Sequence, residues 1–229
     1  MIKIRSTARR VLRHPITGQV TALKLPMQST DDLRRLGNVY GGAWVPTAEL
    51  EPGGVCYSVG VGQDITFDLE LIERYGMRVW GFDPTPRVID WIATQDLPAE
   101  YTFLPYGIWD NDDVVKFYVP ENPDHVSHSI DNIQETDQYI TGEVKRLGTA
   151  MKELGHTKID LLKMNIEGAE GAVVDDALAA RIPIRVLSVV FEQNESPRKL
   201  RARIRRVLDA GYVLRHVEGW HYTFVSEVR

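Results

Sequence analysis

The sequence predicts an α/β protein with a mainly parallel sheet, helices on both faces of the sheet and an antiparallel strand at one edge. Two features indicate this fold class. From residue 54 onward, short apolar runs alternate with longer helical patterns, as they do where crossover helices join parallel strands. The last helical pattern is instead followed by two apolar runs around Gly219, which predicts a closing strand, turn and strand.

Three of the five predicted helices have recognisable boundary residues. Gly76 ends the first helix, Pro86 starts the second, and Ser196 with Pro197 starts the last. The predicted helices cover residues 64–76, 85–95, 142–155, 167–180 and 196–211. The predicted strands cover residues 54–60, 77–83, 101–108, 158–166, 184–194, 212–218 and 221–228, with 114–120 as an extra strand or hairpin arm.

The first 50 residues are less regular, and we expect them to form a helical extension with a lid-like loop, packed on a main domain at 51–229. Ile4, Ala8 and Leu12 share one face of a predicted surface helix. Contact with a membrane surface or a polyanion is the alternative for this basic segment. Residues 30–36 resemble a capped helical turn, and a Gly-rich loop follows them.

The composition is that of an ordinary globular protein, with 43% hydrophobic and 26% charged residues in a chain of 229. The net charge of −5 argues against a general attraction to nucleic acid. No segment approaches the roughly 18 apolar residues that a membrane helix needs. The single cysteine, Cys56, fits a reducing compartment and is expected to be a small buried residue. We therefore predict a cytoplasmic protein without membrane insertion.

A glycine loop follows the first strand of the main domain. Gly60 and Gly62 open the first long helix, and Asp83 ends the next strand about twenty residues later, where a ribose-binding carboxylate is expected. This pattern is typical of a nucleotide-type cofactor. The alternative is a plain tight turn in which Asp83 caps the following helix.

Two residues argue against a dinucleotide at this loop. Ile65 stands where the dinucleotide fingerprint requires its third glycine. Asp64 places negative charge at a helix N-terminus that would have to hold pyrophosphate. S-adenosylmethionine carries no phosphate and bears two cationic groups, so it tolerates this carboxylate. Asp64 is also a candidate helix cap, and the two roles are compatible.

With these residues in place, the chain resembles the FkbM-type S-adenosylmethionine-dependent methyltransferases over roughly residues 40–228. The resemblance rests on YSVGVGQDITFDLELIERYG, VWGFDPTP, FLPYGIW, HVSHSI and above all IDLLKMNIEGAE. It implies a Rossmann-like class I methyltransferase fold with a seven-stranded sheet. It also implies methyl transfer to hydroxyl oxygens, often on sugars or glycosylated natural products, as in polysaccharide biosynthesis.

The resemblance implies a role for each part of the site. Residues Gly60, Val61, Gly62 and Gln63 would line the methionine part of the cofactor, with Asp64 close by. Asp83 would bind the ribose hydroxyls next to Pro84 and Thr85. Tyr106, Gly107 and Ile108 would flank the adenine. Residues 40–44, beginning with Tyr40, would form a lid, for which a packed surface loop is the alternative.

Methyl transfer to a hydroxyl also needs alignment of the acceptor and removal of its proton. Glu167 and Glu192 follow buried strands at the expected site, and Lys163 lies near the same edge. Each has a structural alternative: Glu167 as a helix N-terminal carboxylate, Glu192 as a paired acid and Lys163 as an ion-pair partner. Asn165 replaces the aspartate usual in the family. An amide can donate and accept hydrogen bonds there, but it cannot act as a base and is a weaker metal ligand than a carboxylate.

His128 and His125 lie in a polar segment near the expected acceptor, and His128 is the preferred base. Asn165, Glu167 and Glu192 offer oxygen ligands of the kind that Mg²⁺ binds, so a magnesium site is a further alternative. The basic run RKLRARIRR is interpreted as a solvated helix face. An anionic acceptor or an oligomer contact is its alternative.

The sequence thus predicts an S-adenosylmethionine-dependent O-methyltransferase that acts on a hydroxyl of a sugar or glycan. The partners expected are a small-molecule or glycan substrate, with a homodimer left open and no nucleic acid. The rival hypotheses are a methyltransferase for a lipid or natural-product hydroxyl, and a module that binds the cofactor without turnover. A nicotinamide dehydrogenase is disfavoured by Asp64 and Ile65.

Overall fold

The structure is a computed structural model that describes residues 25–118, 139–166, 168–191 and 196–228. Within these ranges it contains twelve strands and five α-helices. The strands are β1 (Leu33–Leu36), β2 (Ala43–Pro46), β3 (Val55–Val59), β4 (Arg78–Phe82), β5 (Tyr101–Leu104), β6 (Gly107–Trp109), β7 (Asp113–Tyr118), β8 (Tyr139–Arg146), β9 (Ile159–Met164), β10 (Ile184–Val190), β11 (Tyr212–Glu218) and β12 (His221–Ser226). The helices are α1 (Thr66–Tyr75), α2 (Pro86–Ile92), α3 (Leu147–Leu154), α4 (Glu170–Ala179) and α5 (Pro197–Asp209).

A seven-stranded sheet forms the centre of the molecule, in the order β11-β12-β10-β9-β3-β4-β5. The pairs from β10 to β5 are parallel, whereas β12 runs antiparallel to both β10 and β11. The predicted α/β fold with a seven-stranded, mainly parallel sheet is therefore confirmed. The antiparallel strand β12 is inserted one position in from the edge, and β11 lies outside it.

Apolar side chains cover both faces of this sheet. Tyr57 and Val59 of β3 point into the larger core cluster, while Cys56 points into the second cluster on the opposite face. This alternation follows from the two-residue period of a strand. Cys56 is fully buried, as expected of a small core residue.

A smaller sheet of three strands, β6-β8-β7, packs beside the main one. It corrects two expectations. The sequence predicted one strand over 101–108, but the structure has two: β5 ends at Leu104 and β6 begins at Gly107. A helix was predicted from residue 142, yet β8 continues to Arg146 and α3 begins only at Leu147. The pairing of β7 with β8 fixes this stretch as a strand, and no local pattern reveals a partner that far along the chain.

Residues 33–46 form the antiparallel hairpin β1-β2, so the helical turn predicted for 30–36 is wrong. Leu36 and Ala43 of the hairpin are fully buried against the second core cluster. This burial outweighs the capping signal at the start of the segment. The predicted surface helix at residues 4–12 lies outside the described residues. No α-helix in the described part of the chain is long and apolar enough to cross a membrane.

Candidate active site

A cavity of about 310 Å³ lies at the carboxyl ends of three neighbouring strands, β3, β4 and β9. This is the edge at which parallel α/β sheets bind ligands. The predicted residues that line it are Tyr40, Gly60, Val61, Gly62, Gln63, Asp64, Asp83, Pro84, Thr85, Gly107, Ile108, Lys163 and Asn165. The fold therefore brings together residues that are more than 100 positions apart in the chain.

The two glycines of the loop differ in how tightly they are packed. Gly60 has φ +80°, and a Cβ there would lie 2.0 Å from the carbonyl oxygen of Asn165. Gly62 has φ +59°, and a Cβ there would meet no atom within 4 Å. The lack of a side chain at Gly60 thus lets the backbones that follow β3 and β9 lie in close contact. A hydrogen bond from the amide of Asn165 to the carbonyl of Val59 joins the same two segments. Gly62 is favoured by its left-handed turn and not by close packing.

Asp83 connects the glycine loop to the next helix. Its Oδ2 accepts a hydrogen bond from the amide of Gly62 at 3.0 Å, and its Oδ1 accepts one from the amide of Thr85 at 2.9 Å. The carboxylate is buried at the end of β4 and still lines the cavity. Each oxygen has a further lone pair, so the group can accept hydroxyl hydrogens as well.

Asp64 binds the loop of residues 38–41 to the start of α1. Its Oδ2 accepts from the amide of Gly41 at 3.0 Å, while Oδ1 accepts from the amide and the hydroxyl of Thr66. Burial acts to raise the pKa of this carboxyl, but the hydrogen bonds from Thr66, Asn38 and Gly41 outweigh it and hold the pKa below its ordinary value. Asp64 is therefore a negatively charged cap beside the cavity.

Apolar side chains from the three-stranded sheet close the other side of the cavity. Phe117 and Val144 of this sheet line it next to Ile108. Sequence reasoning missed these two residues, because nothing local marks them as neighbours of the glycine loop. The remaining lining residues that the sequence did not indicate are Val59, Phe82, Ile166 and Ala169, whereas Gly41 belongs to the predicted lid at residues 40–44.

Tyr106 is the one predicted cofactor residue that does not line the cavity. Its buried ring packs on Phe82, with ring centroids 5.6 Å apart, and Lys145 Nζ lies 4.6 Å from the ring centroid. The side chain thus supports Phe82 from the core side. Contact with a ligand is left to Gly107 and Ile108 on the following strand.

Two buried ionisable side chains, Lys163 in the cavity wall and Asp68 of α1, interact electrostatically. Lys163 of β9 is only 6% exposed, and its Nζ lies 5.0 Å from the centroid of the Phe67 ring. Asp68 of α1 is fully buried, and neither of its carboxylate oxygens has a hydrogen-bond partner among the described residues. Burial raises the pKa of Asp68, and the positive charge of Lys163 opposes that rise. The sequence indicated Lys163 but not Asp68, which carries no motif of its own.

Only part of the predicted catalytic set falls within the described residues. Asn165 lies at the end of β9, and its side chain is exposed beside the cavity. Glu167, Glu192, His125 and His128 lie outside the described residues. No group of three or more His, Cys, Asp or Glu side chains that could hold a metal occurs in the described part. Asn165 is thus the only described member of the proposed magnesium ligands.

Glu170 has a role that the sequence did not predict. It is 1% exposed at the start of α4, and its carboxylate accepts hydrogen bonds from the amides of Ile166 and Gly168. The last acid of the IEGAE stretch therefore holds the turn between β9 and α4. This turn carries Asn165 and Ile166 to the cavity wall.

Part of the basic run on α5 is paired with the neighbouring helix. Arg206 makes a two-pronged contact with Asp175 of α4, and Arg203 lies 3.6 Å from the same carboxylate. Leu200, Ile204 and Val207 on the opposite face are fully buried. At least these two arginines stabilise helix packing rather than forming a free basic surface.

Comparison with known proteins gives a family. A model described as "Methyltransferase FkbM domain" matches residues 48–214. No match to the sequence was found among curated proteins.

Solved structures of similar shape include three archaeal proteins. Fibrillarin from Aeropyrum pernix, in complex with natively bound S-adenosyl-L-methionine, is 12% identical, covers 87% of this chain and 84% of its own, and has a TM-score of 0.44. The fibrillarin pre-rRNA processing protein of Methanococcus jannaschii is 6% identical, with coverages of 90% and 87% and a TM-score of 0.46. A methyltransferase from Pyrococcus furiosus is 9% identical, with coverages of 95% and 97% and a TM-score of 0.34.

The family model accounts for most of the chain and for the elements that build the cavity, from β3 through β10. The protein therefore belongs to the FkbM methyltransferase family, a family of S-adenosylmethionine-dependent enzymes.

Proposed function

We propose that the protein is an O-methyltransferase that moves the methyl group of S-adenosylmethionine to a hydroxyl of a sugar or glycan. The observation that supports this most strongly is the cavity itself. Gly60, Gly62 and Asp83 form a cofactor loop at the sheet edge, while Asp64 keeps its negative charge where a pyrophosphate would have to lie.

The described residues fit the parts of this cofactor. Asp83 is a buried carboxylate with free lone pairs, suited to the two ribose hydroxyls. Ile108, Phe117 and Val144 offer an apolar wall, suited to the adenine ring. The loop from Gly60 to Asp64 offers backbone groups and a carboxylate, suited to the cationic methionine end. When bound, S-adenosylmethionine supplies an electrophilic methyl group on its sulfonium.

The protein itself must orient the acceptor and take up its proton. A sugar hydroxyl is a weak acid, so a base close to it would speed the transfer. Asn165 lies at the cavity but cannot act as that base, because an amide does not take up a proton near neutral pH. Glu167, Glu192 and His128 remain the proposed candidates. Lys163, four residues before Glu167, is a buried cation in the cavity wall.

Turnover on a panel of hydroxyl acceptors tests the proposal. Sugars, glycolipid head groups and glycosylated natural products would be incubated with S-adenosylmethionine, with and without Mg²⁺ and a chelator. We expect S-adenosylhomocysteine to form with at least one sugar, which gains the mass of one methyl group. Transfer only to lipid or natural-product hydroxyls would contradict the sugar assignment. Binding of the cofactor without any product would instead favour a binding module, for which Asn165 is the motivating residue.

A further inference from the structure

A second cavity, of about 140 Å³, adjoins the first. The two cavities share four lining residues, namely Tyr40, Gly41, Lys163 and Asn165. The second extends from them toward β1, β10 and the hairpin of β11 and β12, through Arg35, Val190 and His221. A group seated there would therefore lie directly beside whatever the first cavity binds.

Two polar side chains in its wall have unused hydrogen-bonding capacity. Lys163 Nζ has no hydrogen-bond acceptor among the described residues. His221 Nε2 lies 2.7 Å from the hydroxyl of Ser188, and its Nδ1 has no partner among the described residues. Burial, aided by Lys163, His216 and Arg35, lowers the pKa of His221 to about 3, so its ring is neutral at neutral pH. Lys163 can thus donate a hydrogen bond to a ligand oxygen, and the free ring nitrogen of His221 can form one with a ligand hydroxyl.

The described charges around this cavity leave one cation without a partner. Arg35 lies 3.7 Å from Glu218, and its guanidinium also donates to the carbonyls of Asn38 and Val39. Lys163 makes no ion pair with a described carboxylate. The wall therefore suits a hydroxyl or an anionic group, and it disfavours a cationic ligand.

The volume limits what can enter. Pockets that take whole drug-sized ligands measure roughly 300–1,000 Å³. A cavity of about 140 Å³ holds one ring or one short chain end. Exposed Val39 and Tyr40 stand at its rim, 79% and 88% accessible, and leave an apolar surface for the remainder of a larger molecule.

We propose that the second cavity is the acceptor subsite, and that it takes a single hydroxyl-bearing terminal unit of ring size between Lys163 and His221. This inference rests on the proposed function, since it supplies that reaction with its acceptor. It adds that methylation occurs at the end of a chain, and that internal units and cationic units are excluded.

The test measures acceptor binding separately from turnover. The protein is loaded with S-adenosylhomocysteine, and methyl glycosides of neutral hexoses, the matching uronic acids and the matching amino sugars are added as probes. Ligand-observed NMR reports which of them bind. We expect neutral glycosides and uronic acids to bind at least about tenfold more tightly than the amino sugars. Preference for the amino sugars, or binding of none, overturns the proposal.

Two substitutions locate the binding. Val190 lines the second cavity but not the first, so Val190→Trp should fill it, weaken neutral glycoside binding about tenfold or more and leave S-adenosylmethionine affinity within about twofold. His221→Phe keeps a ring of similar size and should weaken glycoside binding by roughly three- to tenfold. Val114→Trp is the matched control, because Val114 is 65% exposed on β7. Unchanged glycoside binding in both variants would place the acceptor elsewhere.

The same data separate this proposal from the proposed function. If S-adenosylmethionine itself does not bind, the proposed function fails. If it binds and methyl transfer proceeds, yet Val190→Trp and His221→Phe leave the acceptor KM unchanged, only the subsite assignment fails.

Discussion

Gly60 and Gly62 both adopt positive φ, yet the structure restricts them to different degrees. Gly60 lies against the carbonyl oxygen of Asn165, whereas Gly62 borders open space. An alanine at either position pays the cost of a left-handed backbone, about 1–2 kcal/mol. At Gly60 the added methyl would also collide with a backbone atom that cannot move aside.

We therefore expect Gly60→Ala to destabilise the protein much more than Gly62→Ala. The latter should lower Tm by roughly 2–8 °C, and the former by at least twice as much. Thermal unfolding followed by circular dichroism measures both. Equal shifts for the two variants would mean that Gly60 is not needed for the contact between β3 and β9.

Asp83 is the single residue on which the proposed cofactor binding depends most, because it is expected to accept the ribose hydroxyls. In Asp83→Asn one of the two oxygens that accept from Gly62 and Thr85 becomes an NH₂ group, so one amide loses its partner and the negative charge is lost. Hydrogen bonds to charged groups contribute about 1.5–3 kcal/mol. We expect S-adenosylmethionine affinity to fall by roughly 10- to 150-fold in a titration. Asp90→Asn, on the exposed side of α2, is the control and should bind normally.

His221 gives a pH dependence whose sign can be worked out. Its ordinary pKa of 6.5 applies to the unfolded chain, and burial lowers the pKa to about 3 in the folded protein. Between these values the unfolded chain binds a proton that the folded one does not. The free energy of unfolding should therefore fall as the pH drops through this window, by up to about 1.4 kcal/mol per pH unit from this residue.

Replacing the histidine should remove this contribution. In His221→Gln the free energy of unfolding, measured by urea titration from about pH 7 to about pH 4.5, should depend less steeply on pH than in the wild type. Parallel curves would show that the ring of His221 takes up a proton as easily in the folded as in the unfolded state.

At the scale of elements, the loop at residues 38–41 is fastened to both neighbours. Asn38 Oδ1 accepts from the amides of Tyr40 and Gly41, and Asp64 binds Gly41 from the start of α1. Arg35 of β1 holds the same loop through the carbonyl of Asn38. The loop is thus tied to the start of α1 by the Asp64 carboxylate and by a second bond, from the Asn38 amide to the Thr66 hydroxyl.

Removing that carboxylate should loosen the loop. Asp64→Ala deletes the hydrogen bonds that Gly41 and Thr66 donate to this carboxylate, and we expect a loss of about 1–2 kcal/mol in stability with faster amide exchange at residues 38–42. Hydrogen exchange followed by mass spectrometry measures this, with Asp90→Ala as the control. Protection of Gly41 that survives in Asp64→Ala would contradict the link. Acidification should loosen the loop likewise, but only once the pH falls below about 3.8, because the pKa of Asp64 is lowered in the folded state.

The elements also show how far a sequence can predict such a site. Gly60, Gly62, Asp64 and Asp83 lie in short segments whose glycines and strand ends are visible locally. Phe117 and Val144 are different, because β7 and β8 are joined through a long intervening segment and pair by register. The alternating exposure of β8 reveals the strand, but the sequence GEVKRLG equally matches a helical pattern. Asp68 and His221 are also missed, since a single buried polar residue has no motif.

At the scale of the whole molecule, the proposed cofactor cavity is smaller than another opening in the described part of the chain. A cavity of about 870 Å³ lies at the amino ends of the strands, lined by the ion pairs of Arg185 with Glu49 and of Lys158 with Asp160. The smaller cavity lies at the carboxyl ends, where parallel sheets hold their ligands, and it is the one built by the residues of the glycine loop. A choice by cavity volume alone would place the cofactor at the amino ends of the strands.

The central claim is that the cavity between β3, β4 and β9 binds S-adenosylmethionine rather than a dinucleotide. Titration calorimetry with S-adenosylmethionine and with NAD tests it most directly. The account predicts saturable binding of one S-adenosylmethionine per chain, no measurable heat with NAD, and a strong loss of the first signal in Asp83→Asn. Tight NAD binding without S-adenosylmethionine binding would contradict it.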